Sequence, residues 1–153
     1  MPETGQIAPD FTLPRDGGQD VTLSALRPAP VVLYFYPKDD TPGCTTEALD
    51  FTALKDQFAA AGAQVFGISK DSVAKHEKFC VKHGLGIPLL SDENGTVCES
   101  YGVWGEKNMY GRTYMGITRA TFLIDAEGRI ARIWPKVKVT GHAEEVLEAV
   151  RAL

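Results

Sequence analysis

Val31-Val32-Leu33-Tyr34-Phe35-Tyr36 decides the fold. The run is β-branched and aromatic, apolar at every position, and stopped by Pro37. Side chains of a strand alternate between its faces, so a strand with no polar position is covered on both sides. That makes it the centre of a sheet layered with other elements on each face. Upstream, Ile7 to Leu13 and Val21 to Leu23 flank Asp16-Gly17-Gly18 and predict an entry hairpin. Downstream, Thr45 to Ala61 reads as a helix with Phe51, Leu54 and Phe58 on one face and Gly62 as its stop. Gln64 to Ser69 predicts a second strand. Asp71 or Ser72 then caps a helix that runs to His83 and closes at Gly84. A short helix is expected over Thr96 to Tyr101. Thr121 to Asp125, Glu127-Gly128 and Arg129 to Trp134 predict a late hairpin, and Val146, Leu147, Val150 and Leu153 a closing helix. This order supports an α/β chain with a mixed sheet. No linker or repeat divides it, so residues 1–153 are read as one domain.

With 153 residues, 44% of them hydrophobic and 24% charged, the chain is large enough to bury a core without metal or disulfide staples. A net charge of −4 leaves no broad positive field, which argues against nucleic acid and acidic membranes as partners. The longest apolar run is too short to span a bilayer, and Met1-Pro2-Glu3-Thr4 lacks the basic, apolar start of a secretory signal. The expected location is the cytoplasm. In that reducing setting the three cysteines, Cys44, Cys80 and Cys98, suit reactive or metal-binding roles better than a fixed disulfide framework, although a lone cysteine is ordinarily a small buried hydrophobe.

Chemistry concentrates in Pro37-Lys38-Asp39-Asp40-Thr41-Pro42-Gly43-Cys44, which leaves the central strand and enters a helix. Pro42 and Gly43 suit positions i+1 and i+2 of a type II turn, which would set Cys44 at the helix start. There, unpaired backbone N–H groups and the helix dipole favour thiolate, the nucleophilic form. Thr41 offers a hydroxyl to the sulfur and to an incoming O–H, and Pro37 shields the pocket from water.

The pattern of Pro37, Thr41 and Cys44 after a buried strand resembles the active-site signature of the peroxiredoxins. Ala8-Pro9-Asp10-Phe11-Thr12-Leu13, Tyr34 to Lys38, Gly102-Val103-Trp104-Gly105-Glu106-Lys107 and Gly116 to Asp125 are similar to its Q-type (bacterioferritin comigratory protein) branch. The resemblance implies a thioredoxin-like fold, with a central mixed β-sheet flanked by helices and an N-terminal hairpin extension. It implies a thiol peroxidase acting on hydrogen peroxide or organic hydroperoxides, without cofactor or metal, often monomeric, and re-reduced by thioredoxin or glutaredoxin. Cys44 would attack the peroxide. Arg119 would supply the positive charge that favours thiolate and then the departing oxygen. Glu47, in the first helical turn, would pair with that arginine in a structural role.

After attack, Cys44 is a sulfenic acid that a second thiol must resolve before it over-oxidises. Many Q-type chains place that thiol five residues on, where this one has Leu49. The other Q-type arrangement implies Cys80, 36 residues after Cys44 (80 − 44 = 36), as the resolving cysteine. The bond would require the first turn after Cys44 and part of the Cys80 helix to unwind, and that lysine- and glutamate-rich helix has few apolar anchors. Cys98 is expected to be structural. A thioredoxin-type reductase is excluded because Thr45-Thr46-Glu47 follows Cys44 instead of a Cys-x-x-Cys pair. The alternative from another class is a metal-binding module using His76, Cys80 and His83, which share one helical face, with exposed histidines the simpler account.

Overall fold

The computed structural model describes all of residues 1–153. Its sheet has five strands in the order β5-β4-β3-β8-β9. The central β3 (Val31–Phe35) is buried at every position. Val31, Leu33 and Phe35 join one hydrophobic cluster and Val32 and Tyr34 the other, the period-2 division that a doubly covered strand imposes. β3 pairs in parallel with β4 (Gln64–Ser69), which pairs in parallel with β5 (Leu89–Ser91). On its other edge β3 runs antiparallel to β8 (Ala120–Ile124), which forms a hairpin with β9 (Ile130–Trp134).

Parallel neighbours need right-handed crossovers, and two successive crossovers in one direction put their helices on one face. That face carries α1 (Pro42–Ala53), α2 (Lys55–Ala60) and α3 (Val73–His83), joined by the closing α5 (His142–Arg151). Cys44, Phe51, Phe79, Cys80 and Val146 accordingly belong to the same cluster as Tyr34. The opposite face is covered by α4 (Thr96–Ser100) and by the N-terminal segment with Phe11, Leu13 and Leu23. The entry hairpin of β1 (Thr12–Pro14) and β2 (Asp20–Thr22) docks on the β5 edge, where Arg15 bridges Leu90 and Asp16 exchanges hydrogen bonds with Leu89.

Both ends of α3 form as the sequence predicts. The Ser72 side chain accepts from the Lys75 N–H, and Gly84 ends the helix in the left-handed region at φ 63°. Elsewhere the structure corrects the reading. Pro42 and Gly43 do not make a type II turn; Pro42 opens α1, with Thr41 as N-cap. Proline fits the first helical position because its absent N–H would have no partner there. Cys44 is therefore the third residue of the helix. The expected single helix to Ala61 breaks at Leu54 into α1 and α2. β5 and the hairpin of β6 (Trp104–Met109) and β7 (Arg112–Ile117) were not expected. That hairpin closes on Tyr110-Gly111, both at positive φ, the geometry a two-residue primed turn requires.

One close approach in the sheet bears on the site. Gly67 on β4 lies opposite Tyr34 on β3, and a Cβ at 67 would stand 2.7 Å from the Tyr34 hydroxyl and 2.8 Å from Leu89 Cδ2. The tyrosine ring thus leans across β4 towards β5, stacked on Phe51 of α1 at 4.7 Å. Gly67→Ala is expected to destabilise the protein by roughly 1–3 kcal/mol through overpacking, read from urea unfolding. Unchanged stability would mean that the Tyr34 ring has room to move.

Candidate active site

Strand register gathers the site. Phe35 pairs with Ala120, so the chain leaving β3 at Tyr36 and Pro37 runs beside the residue that precedes β8, Arg119. The Arg119 backbone is fixed there by the Val137 N–H, which donates to its carbonyl at 2.9 Å. Its guanidinium reaches across to the first turns of α1. Nη1 donates to Glu47 Oε1 at 2.7 Å and Nη2 to Cys44 Sγ at 3.3 Å. Gly43 leaves room for this fork, since a Cβ there would lie 3.1 Å from Nη2. Cys44 and Glu47 are each 1% exposed, so the guanidinium is the charge that both meet inside the protein.

Burial pushes the Glu47 carboxyl up to about 7, against the opposing pull of Arg119. Its second oxygen, Oε2, has no protein partner. Burial alone would lower the arginine, but the charges of Glu47 and Cys44 raise it. Lys107, on β6, stands at the same place: burial and Arg119 lower its ammonium, and Cys44 acts in the other direction. Lys107 and Pro37 line a cavity of about 620 Å³ with Trp104, Met115 and Ile117 among its apolar walls. The sequence reading missed Lys107 and the clearance role of Gly43, because both depend on contacts between distant segments.

Thr41 departs from expectation. Its hydroxyl donates to the Lys38 carbonyl at 2.9 Å, not to the sulfur, which leaves its lone pairs to accept from an O–H. The Thr41 carbonyl accepts the first helical bond, from the Thr45 N–H.

Cys80 sits half-buried on α3, facing the same cluster as Cys44. Burial, then the charges of Asp16 and Asp39, push its thiol up to about 12. It is held as a thiol under the entry hairpin. Cys98 is fully buried, and burial with the nearby Asp92 carboxylate raises its thiol further still, as fits an inert packing residue.

The histidines are not simply exposed. His76 is wholly buried, with Nδ1 2.6 Å from Asp39 Oδ2 and Nε2 2.8 Å from the Leu90 carbonyl. Both ring nitrogens face acceptors, so only the imidazolium satisfies both. Burial opposes that charge, but the hydrogen bond and charge of Asp39 outweigh it and raise the ring's pKa. Asp39 also accepts from the Tyr36 hydroxyl at 2.6 Å, and its N–H donates to Asp71. His83 instead meets Asp40, whose left-handed backbone (φ 59°) turns its carboxylate towards both His83 and Lys82. His76, Cys80 and His83 therefore do not converge; the potential ligands that do lie together are Asp39, Asp71 and His76, already joined by hydrogen bonds. These bonds also give α3 anchors that its composition hides.

Residues 4–133 match the model of the AhpC/TSA family. The chain is 56% identical over 145 residues to a putative peroxiredoxin bcp of Coxiella burnetii, covering 95% of this chain and 96% of that one. It is 45% identical to the peroxiredoxin Bcp of Escherichia coli K12, covering 95% and 93%. Peroxiredoxin Q of Xanthomonas campestris superposes with a TM-score of 0.88 at 50% identity, over 93% of this chain and 90% of that one.

The Glu47 environment makes a pH prediction. A carboxyl at 4.5 when unfolded and about 7 when folded binds more protons in the native state between those values. Its stabilising contribution is therefore complete below about pH 4.5 and is lost as pH rises through 7. Relative to Glu47→Gln, the reduced wild-type protein should lose roughly 3 kcal/mol over that window, measured by urea unfolding. Parallel pH profiles for the two proteins would show that Arg119 fully offsets the burial of the carboxylate.

Proposed function

Because the chain belongs to the AhpC/TSA family, as a thiol peroxidase of its Bcp/peroxiredoxin Q branch, we propose that Cys44 is the peroxidatic nucleophile and Arg119 the cation that drives its reaction. The observation that carries this reading is the 3.3 Å donation from Arg119 Nη2 to Cys44 Sγ, with the same guanidinium bound to buried Glu47. A sulfur anion and an oxygen that gains negative charge both profit from one fixed cation in a site shielded from water. In the displacement the Cys44 sulfur forms an S–O bond as the peroxide O–O bond breaks. The leaving oxygen takes up the electron pair and then a proton. Thr41, with its lone pairs free, accepts from the substrate O–H, and Pro37 walls the entrance.

Substrate enters by the cavity that Pro37 and Lys107 share with Trp104, Met115 and Ile117. Its lining mixes Trp104, Met115 and Ile117 with Lys38, Lys70, Lys75 and Lys107, which suits a small polar peroxide and leaves an apolar side for an organic one. A Xanthomonas campestris bacterioferritin comigratory protein, 48% identical, has been solved for its alkyl peroxide reduction activity.

Cys80 resolves the sulfenic acid as an intramolecular disulfide, which thioredoxin or glutaredoxin then reduces. This is supported by its place on the same sheet face as Cys44 and by serine variants of the Xanthomonas protein at two cysteines with the same sequence separation. Because Cys44 is turned to Arg119 and Cys80 is held as a thiol, resolution requires the start of α1 and the end of α3 to open. His76 and Asp39 pin the N-terminal half of α3 from within the core, so opening falls on the half after Phe79, where the ion pairs are the surface ones of Asp40 with Lys82 and His83. No helix is long and apolar enough to cross a membrane. We place the enzyme in the cytoplasm as a monomer.

Steady-state peroxide consumption with thioredoxin as reductant tests this. Cys44→Ser should abolish turnover, and Cys98→Ser should leave it near wild type. Arg119→Lys keeps the charge but loses the fork, and should slow reaction with peroxide about ten-fold, or about 1.4 kcal/mol of transition-state stabilisation. Turnover in Cys44→Ser would overturn the assignment of the nucleophile.

A further inference from the structure

Tyr34 carries a group that the peroxide step does not use. Its hydroxyl is fully buried and has no protein hydrogen-bond partner. A buried polar group left unpaired is costly, and substitution by phenylalanine would remove that cost with little change of shape. The position of the hydroxyl is specific. The ring stacks on Phe51 of α1, and its tip lies over Gly67 and against Leu89, whose own N–H is held by Asp16 beside Cys80. The ring is therefore fixed on α1, which carries Cys44, in the same cluster against which Cys80 of α3 packs. Burial, and then the charges of Glu47, Cys44, Cys80 and Asp39, all oppose its ionisation, so it remains a donor.

We propose that the Tyr34 hydroxyl is the hydrogen-bond donor that receives the Cys44 sulfenic oxygen and steadies it as it departs during resolution. This rests on the assignment of Cys80 as the resolving thiol. In that step the Cys80 sulfur attacks the Cys44 sulfur, forming the S–S bond as the Cys44 S–O bond breaks. The Cys44 sulfur is reduced and the Cys80 sulfur oxidised to the disulfide level. The Cys80 proton is released, with the Asp16 carboxylate nearest to accept it, and the departing hydroxide is protonated to water. Tyr34 donates a hydrogen bond throughout and is not consumed. In the peroxide step Cys44 faces Arg119, so the tyrosine acts only after the start of α1 has opened and the sulfur has left the guanidinium.

Single-turnover experiments on wild type and Tyr34→Phe test the proposal, with rapid quenching, thiol alkylation and mass mapping of the products. The expected result has three parts. Oxidation of Cys44 by one equivalent of hydrogen peroxide keeps its wild-type rate. Formation of the Cys44–Cys80 disulfide slows about ten-fold, with sulfinic acid accumulating at Cys44 under excess peroxide. The melting temperature of Tyr34→Phe does not fall. Disulfide formation at the wild-type rate in Tyr34→Phe would overturn the role of the hydroxyl. A large fall in melting temperature would show that the hydroxyl has a structural partner, and would overturn it too. Absence of a Cys44–Cys80 disulfide in the wild type would instead remove the reading beneath it.

Discussion

The Arg119 guanidinium is bound at once to a buried carboxylate and a buried sulfur, and the geometry around β3 is arranged for it. A cation in this position must arrive from one segment and meet its partners on another. The antiparallel pairing of β3 with β8 brings Arg119 beside Pro37, and the turn at Asp39-Asp40 sends α1 back over the sheet with Cys44 and Glu47 one helical turn apart. Gly43 keeps the intervening space clear. Burial makes a carboxylate at Glu47 expensive and Arg119 opposes that cost, and the shared guanidinium fixes the donor relative to the sulfur.

Under the proposed resolution by Cys80, the same frame has to let the sulfur go. Around Cys80 the interactions divide by burial. Asp39, His76 and Asp71 are fully hydrogen-bonded beneath the first turns of α3, where little water competes with them. The ion pairs of the last turns, Asp40 with Lys82 and His83, lie at the surface, where such pairs contribute little beside the packing of Cys80 and Leu85. Such a gradient along one helix permits local opening at its end without loss of the active-site loop that its start secures. Val81, 85% exposed, adds nothing to hold that end.

How much of this the sequence discloses follows from the range of each interaction. β3 is legible because both faces are apolar, and α3 because Ser72 and Gly84 cap it locally. Pro42-Gly43 misleads for a definite reason: proline at the second position of a turn and at the first of a helix has the same φ, so only the residues beyond decide. β5, at three residues, and the half-exposed β6–β7 hairpin lack enough apolar alternation to be read. A motif names Cys44, Thr41, Pro37 and Arg119. The motif was silent on the direction of the Thr41 hydroxyl and on the Asp39–His76 pair, 37 residues apart in the chain, because both are tertiary facts.

Trapping the oxidised sulfur tests the central claim most directly. Cys80→Ser protein, given one equivalent of hydrogen peroxide in the presence of a sulfenic-acid-specific diketone and then mapped by mass spectrometry, should carry the adduct on the Cys44 peptide alone. An adduct on the Cys98 peptide, or none on that of Cys44 while peroxide is consumed, would contradict the account.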